Sequence, residues 1–231
     1  MDKNKSVVAK AWICGAIVIV LLAADQILKI WIKTHFVFGG DMALIGEWCR
    51  LHFIENNGIA FGMSFGGSVG KLILSLFRLV ASVAIVVLLV KYIKKDARYL
   101  MLISMSLILM GAIGNLVDSC FYGMIFSEST RTDIAILFPE GGGYGTFLHG
   151  KVVDMFYFPL FQWTWPEWVP IWGGGNAEFF NAIFNIADSA VTVGVALLIF
   201  DQIRNSRKSG ETEVNEVSPI SENRTENEPA V

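Results

Sequence analysis

Four long apolar segments constrain the fold of this 231-residue chain more than any other feature. A helix needs about 20 mostly apolar residues to cross about 30 Å of hydrocarbon. Segments of that length are predicted at residues 11–32, 69–92, 98–121 and 180–202. Only 17% of the residues are charged, whereas soluble domains carry about 25%. We therefore predict an α-helical polytopic membrane protein with four transmembrane helices.

Basic residues predict how these spans are oriented. They gather before the first span, between the second and third, and after the fourth: Lys3, Lys5, Lys10, Lys91, Lys94, Lys95, Arg98, Arg204, Arg207 and Lys208. With four spans all these clusters fall on one side, which the positive-inside rule identifies as the cytoplasm. We expect both termini there and the loops 33–68 and 122–179 on the outer side.

The outer loops are predicted to hold a small extracytoplasmic β-sheet. In "WCRLHFIENN", Leu51 and Phe53 alternate with other residues in a strand pattern, and "KVVDMFYF" is rich in β-branched and aromatic residues. The tryptophans of "FQWTWPEWVPIW" indicate an interfacial lip, with a plain aromatic belt as the alternative. Residues 205–231 lack an apolar period and are predicted to form a disordered tail, which leaves residues 1–204 as the membrane domain.

Polar side chains interrupt three of the four spans at a similar depth, near their outer ends. Ionisable groups inside a membrane are costly and normally mark function. Spacings of three, four or seven residues put each group on one helix face: Asp25 and Lys29, Asn115 and Asp118, and Asn181, Asn185 and Asp188. Asp154, in the predicted strand before the fourth span, is expected to reach the same layer. Ion pairing or interhelical hydrogen bonding explains each residue singly, but their convergence predicts a functional cavity.

Two carboxylates at one site indicate hydrolysis through a shared proton. One acid stays charged and takes a proton from water, and the other stays neutral and protonates the substrate carbonyl. The three cysteines and three histidines show no ligand spacing, so no metal is predicted. "GMSFG" at residues 62–66 matches G-x-S-x-G, but no partner base is evident for Ser64.

Two other classes of function stay open from the residues alone. An ion or proton transporter would use Asp25, Lys29 and Asp188 as a relay. It would need polar groups through the whole membrane thickness, whereas "VGVALLIF" and "ASVAIVVLLV" are nearly all apolar. A scaffold protein would leave the clustered acids unexplained.

Five blocks in series resemble the lipoprotein signal peptidases (signal peptidase II), aspartic proteases of the bacterial inner membrane. They are "DQILK" at 25–29, "NNGIAFG" at 56–62, "GAIGNLVD" at 111–118, "VVDMFYF" at 152–158 and "FNIADS" at 184–189. The resemblance covers about residues 8–203 and implies a four-helix bundle with a β-cradle and no cofactor. It implies Asp154 and Asp188 as the catalytic dyad. The supporting residues that it implies are Asp25, Lys29, Asn56, Gly58, Ala60, Phe61, Asn115, Asp118 and Asn185.

The same resemblance implies the reaction and its setting. The enzyme would remove the signal peptide from a diacylglyceryl-modified prolipoprotein, cutting just before the lipidated cysteine. The expected partners are this substrate and membrane lipids, without nucleic acid. We expect a monomer in the inner membrane with its site facing the periplasm, inhibited by globomycin-like cyclic peptides.

The chain departs from the resembled pattern in two places. The family commonly has arginine after the "GNLxD" aspartate, where this chain has Ser119; Arg131 and Lys151 are the candidates to replace it. The stretch 122–150 is longer than usual and is predicted to form an extra flap over the site.

Overall fold

A computed structural model describes residues 3–56 and 67–217, with side chains to residue 206 in the last helix. Its long helices are α1 (Lys3–His35), α2 (Gly67–Lys94), α3 (Tyr99–Val117) and α5 (Ile186–Val217). A π-helical turn at Asp118–Tyr122 and the short α4 (Gly123–Ile125) prolong α3. Four helical segments are long and apolar enough to cross a membrane. The predicted class, a four-span helical membrane protein, is confirmed.

Helix α3 lies at the centre of the bundle and packs against α1, α2 and α5. Two glycines allow its neighbours to approach closely. A Cβ atom at Gly111 would lie 2.2 Å from the carbonyl oxygen of Ala187 in α5, and one at Gly114 would lie 3.0 Å from Oδ2 of Asp25 in α1. Small residues permit such close backbone packing in membranes. The ends of α1 and α5 that carry Asp25 and Ala187 therefore lie close against α3.

The predicted sheet is also confirmed. It is antiparallel, with the order β1-β2-β3-β6; the strands are β1 (Asp41–Ile45), β2 (Cys49–Asn56), β3 (Val152–Tyr157) and β6 (Ile183–Phe184). Leu51 and Phe53 point into a core shared with β3 and Ile32 of α1, as the alternation in β2 predicts. The tryptophan-rich stretch forms a separate hairpin of β4 (Phe161–Thr164) and β5 (Asn176–Phe179), and Trp168 near its tip is 81% exposed.

The predicted start of the fourth span is wrong. Residues 183–184 pair with β3 through Phe156↔Phe184 and Tyr157↔Ile183, so this part of the chain belongs to the sheet, and α5 begins only at Ile186. Asn181 is exposed and lies before the helix. It therefore cannot share a helical stripe with Asn185 and Asp188. At its other end α5 continues to Val217, into the segment predicted to be disordered.

The sheet and the basic residues occupy opposite ends of the bundle. Lys10 of α1 donates to Oδ1 of Asp96 at 2.6 Å and to the carbonyl oxygen of Ala97 at 2.8 Å, both in the α2–α3 link. Arg98 pairs with Asp201 of α5 at 2.8 Å. The basic clusters thus meet at one end, and the chain enters and leaves the sheet at the other.

The segment between α4 and β3 packs onto the sheet rather than standing free. Phe126 and Ala135 are buried in the core of β2 and β3, and Phe126 forms an isolated bridge with Leu137. The Gly150 N–H donates to the carbonyl oxygen of Ser119 at 2.8 Å. This segment is therefore fastened at both ends beside the polar cluster.

Candidate active site

Asn185 joins the two acids that the sequence nominates as a dyad. Its side-chain Nδ2 donates to Oδ1 of Asp154 at 2.7 Å, and its backbone N–H donates to Oδ2 of Asp188 at 3.3 Å. Asp188 accepts a second hydrogen bond at Oδ1, from Nδ2 of Asn115 at 2.8 Å. Strand β3 and helices α3 and α5 thus bring Asp154, Asp188 and both asparagines into one cluster.

The start of α5 orients Asp188. Oδ1 of Asn185 accepts the N–H of Asp188 at 2.9 Å, while the carboxylate of Asp188 accepts the N–H of Asn185. This reciprocal pair is equivalent to a capping box, three residues apart before an apolar run. A carboxylate in the first turn also lies at the positive end of the helix dipole. Asp188 is therefore held as an oriented carboxylate at the helix terminus.

Asp154 lies in a different environment and is 3% exposed. Burial, and then the negative charge of Asp188, raise the pKa of Asp154 to about 7. Lys29 and hydrogen bonds from Asn185 and Asn56 oppose this rise only in part. Near neutral pH Asp154 is therefore able to hold a proton. Two adjacent carboxyl groups in unlike environments are the arrangement in which one stays neutral and its neighbour stays charged.

A buried ion network lies next to Asp154 and Asp188. Nζ of Lys29 lies 3.0 Å from Oδ2 of Asp25 and 2.8 Å from Oδ2 of Asp118, and all three side chains have no exposed surface. Lys29 also donates to Oδ1 of Asn115 at 3.0 Å. Oδ1 of Asp25 accepts the N–H of Ala187 at 3.0 Å, in the first turn of α5. The network therefore fixes α1, α3 and α5 relative to one another at the dyad.

Gln26 and Tyr122 also belong to this network, although sequence reasoning did not select them. Nε2 of Gln26 donates to Asp25 at 3.0 Å and to Asp118 at 2.9 Å. The hydroxyl of Tyr122 donates to Oε1 of Gln26 at 3.1 Å. Gln26 lies inside the "DQILK" block, so its position beside Asp25 was the available signal. Nothing in its local sequence distinguishes Tyr122 from a core aromatic residue.

The remaining predicted site residues fall into three groups. Asn56, at the end of β2, hydrogen-bonds Asp154. Gly58, Ala60 and Phe61 lie outside the described residues, as does Ser64 of the "GMSFG" match. Asn181 lies outside the cluster, because it is exposed in the loop before β6.

Arg78 of α2 occupies the position next to Ser119. Its Nη1 donates to Oγ of Ser119 at 3.0 Å. Of the two cations proposed for this role, Lys151 pairs with Glu128 at 3.1 Å and lies 3.5 Å from Glu55, and Arg131 is exposed. Arg78 lies 41 positions before Ser119, on the preceding helix, so no spacing pattern links the two residues.

The four apolar helices, the small sheet and the buried acids between them fit a membrane-spanning aspartic protease. The family described as signal peptidase (SPase) II matches residues 17–204. The lipoprotein signal peptidase of Porphyromonas gingivalis (strain ATCC 33277) is 48% identical over 81% of each chain. That of Amoebophilus asiaticus is 34% identical over 84% of this chain and 78% of its own. The chain belongs to the signal peptidase II family, whose function is to remove signal peptides from prolipoproteins.

Two solved structures of bacterial membrane enzymes share the fold. A bacterial membrane enzyme determined by the in meso method at 2.3 Å resolution superposes with a TM-score of 0.52 and 25% identity, covering 94% of both chains. A second, at 1.9 Å resolution, has a TM-score of 0.51 and 26% identity, covering 82% of this chain and 91% of the other. The family match identifies the protein as an aspartic signal peptidase and excludes the transporter and scaffold alternatives.

Proposed function

We propose that Asp154 and Asp188 form the catalytic dyad and that water, activated between them, attacks the scissile amide. The observation that carries this proposal is the bridge through Asn185, which contacts both carboxyl groups. The unlike surroundings of the two acids support a division of labour. Asp188, with two hydrogen-bond donors, acts as the ionised base, and Asp154 acts as the neutral acid.

The reaction then proceeds without a covalent intermediate. Asp188 takes a proton from water, and the resulting hydroxide attacks the carbonyl carbon while Asp154 protonates the carbonyl oxygen. The tetrahedral intermediate collapses when the leaving nitrogen takes the proton held by Asp188 and the gem-diol returns one proton to Asp154. The amide C–N bond breaks, and the dyad regains a single proton.

The proposed substrate is a diacylglyceryl prolipoprotein, cut just before the lipidated cysteine. The location of the dyad supports this choice, because the acids lie where apolar helices end and the sheet begins. Acyl chains would hold a lipidated cysteine at the same boundary between hydrocarbon and water. Asn56 adjoins Asp154, and we infer that the following residues Gly58, Ala60 and Phe61 contact the substrate.

We infer an inner-membrane location with both termini in the cytoplasm and the dyad facing the periplasm. The separation of the basic clusters from the sheet supports this orientation. The proposed working unit is a monomer within membrane lipids. Globomycin-like cyclic peptides are expected to inhibit it by occupying the dyad.

Two variants test the dyad directly. Asp154→Asn and Asp188→Asn should insert and fold, yet lose about 10³-fold or more in cleavage of a purified diacylglyceryl prolipoprotein. Glu140→Gln, at an exposed acid outside the spans, serves as the matched control and should retain full activity. Near-normal turnover by either dyad variant would contradict the assignment.

A further inference from the structure

The guanidinium of Arg78 is an unusual group in its helix. Arg78 is the only charged residue of α2 between Lys71 and Lys91, and it lies within a segment apolar enough to cross a membrane. A charge inside a span is expensive and usually faces a polar cavity that uses it. Arg78 is partly buried and faces α3 through its hydrogen bond to Ser119.

A short chain of hydrogen bonds leads from Arg78 to the dyad. Ser119 accepts from Nη1 of Arg78 and itself donates to the carbonyl oxygen of Asn115 at 2.8 Å. The side chain of Asn115 donates to Asp188. Ser119 therefore links the guanidinium to Asn115, and Asn115 in turn orients Asp188.

The charge of Arg78 also acts on the dyad through space. Its electrostatic partners are Asp188, Asp118 and Asp154, with Asp188 contributing most. When the dyad holds one proton, the four acids of the cluster carry three negative charges, of which Lys29 offsets one. Within the described part of the chain Asp188 forms no salt bridge, and Arg78 supplies a second positive charge near it.

We propose that Arg78 is a positioning residue of the peptidase, which keeps the dyad singly ionised and orders the Ser119–Asn115 side of the site. In this chain α2 thus adds a cation to a site whose other polar groups come from α1, α3 and its π-helical turn, α5, β2 and β3. The proposal rests on the proposed dyad. It adds that α2 contributes to turnover.

The first test is a pH–rate profile. Arg78→Gln should lower kcat by about 10- to 100-fold with little change in KM, because the lost charge acts on the reacting acids. Without this cation the dyad ionises less readily, so the acidic limb of its profile should move to higher pH. Lys29, Asp25 and Asp118 also face the dyad, and Lys71 of α2 interacts electrostatically with Arg78; all four are unchanged in this variant. Lys91→Gln, an exposed cation on the same helix, is the matched control and should leave the profile unchanged.

Two further variants separate charge from packing. Arg78→Lys should keep the acidic limb in place and recover part of kcat. The exchange Arg78→Ser with Ser119→Arg should also recover turnover, since it returns a guanidinium to the same space from α3. Reduced kcat in Arg78→Gln with an unmoved acidic limb would overturn the proposal in favour of a packing role. A wild-type profile would also overturn it, while the dyad variants would still decide the proposed mechanism separately.

Discussion

Replacing Lys29 by methionine tests whether the buried ion network holds the bundle together. Nζ of Lys29 lies within 3.0 Å of both Asp25 and Asp118, and none of the three side chains has exposed surface. Removing one member of a buried, hydrogen-bonded charge group leaves uncompensated charge and costs about 3–5 kcal/mol. We expect Lys29→Met to reach this range, because it leaves two carboxylates without their shared cation.

The remaining hydrogen bonds limit the loss. Asp25 keeps the N–H of Ala187, and Gln26 still donates to both acids. Uptake of a proton by one acid offers a second relief. The destabilisation should therefore be smaller at acidic than at alkaline pH.

The free energy of unfolding can be measured by denaturant titration of the protein in mixed micelles. The double variant Lys29→Met/Asp118→Asn removes one charge of each sign, so it should be more stable than the sum of its single changes by about 1–3 kcal/mol. Lys5→Met, an exposed cation on the same helix, should stay within about 0.5 kcal/mol of the parent. An additive cycle, or a Lys29→Met loss below about 1 kcal/mol, would refute the reasoning.

Three further predictions concern the proton held by Asp154 and the close packing of α3 against α5. Because the pKa of Asp154 is raised to about 7, the wild-type protein loses stability as pH rises from about 4 through 7. Asp154→Asn removes this loss and should stabilise the protein by about 2–4 kcal/mol at pH 8 and little at pH 4. Equal effects of the substitution at both pH values would contradict this. Wild-type turnover should fall as pH rises above about 7, and a rate that keeps rising beyond pH 8 would count against Asp154 as the proton donor. Gly111→Ala should lower the free energy of unfolding by about 1–3 kcal/mol, because the new Cβ would lie 2.2 Å from the Ala187 carbonyl oxygen and 2.5 Å from Cγ2 of Val191. Gly15→Ala, with open space around its Cβ, is the control. Similar free energies of unfolding for the two variants would show that α3 and α5 can move apart to accept the methyl group.

The sequence by itself determined the features that depend on local patterns. Apolar length revealed the spans, and alternation at Leu51 and Phe53 revealed β2. The spacings of polar residues in α1 and at the end of α3 correctly placed those residues together on one helix face. The five blocks also named the acids of the proposed dyad before any distance was known. Each of these signals lies within a short stretch of sequence, because helices and strands place side chains at fixed short periods.

Only the tertiary structure decided which of these residues meet. Pairing of β6 with β3 delays α5 until Ile186, which removes Asn181 from the predicted stripe. The hydrogen bond between Arg78 and Ser119 joins residues 41 positions apart, and it depends on how α2 packs against α3. Local periodicity carries no information about such contacts, since they are set by the sheet register and by the close helix packing that Gly111 and Gly114 permit.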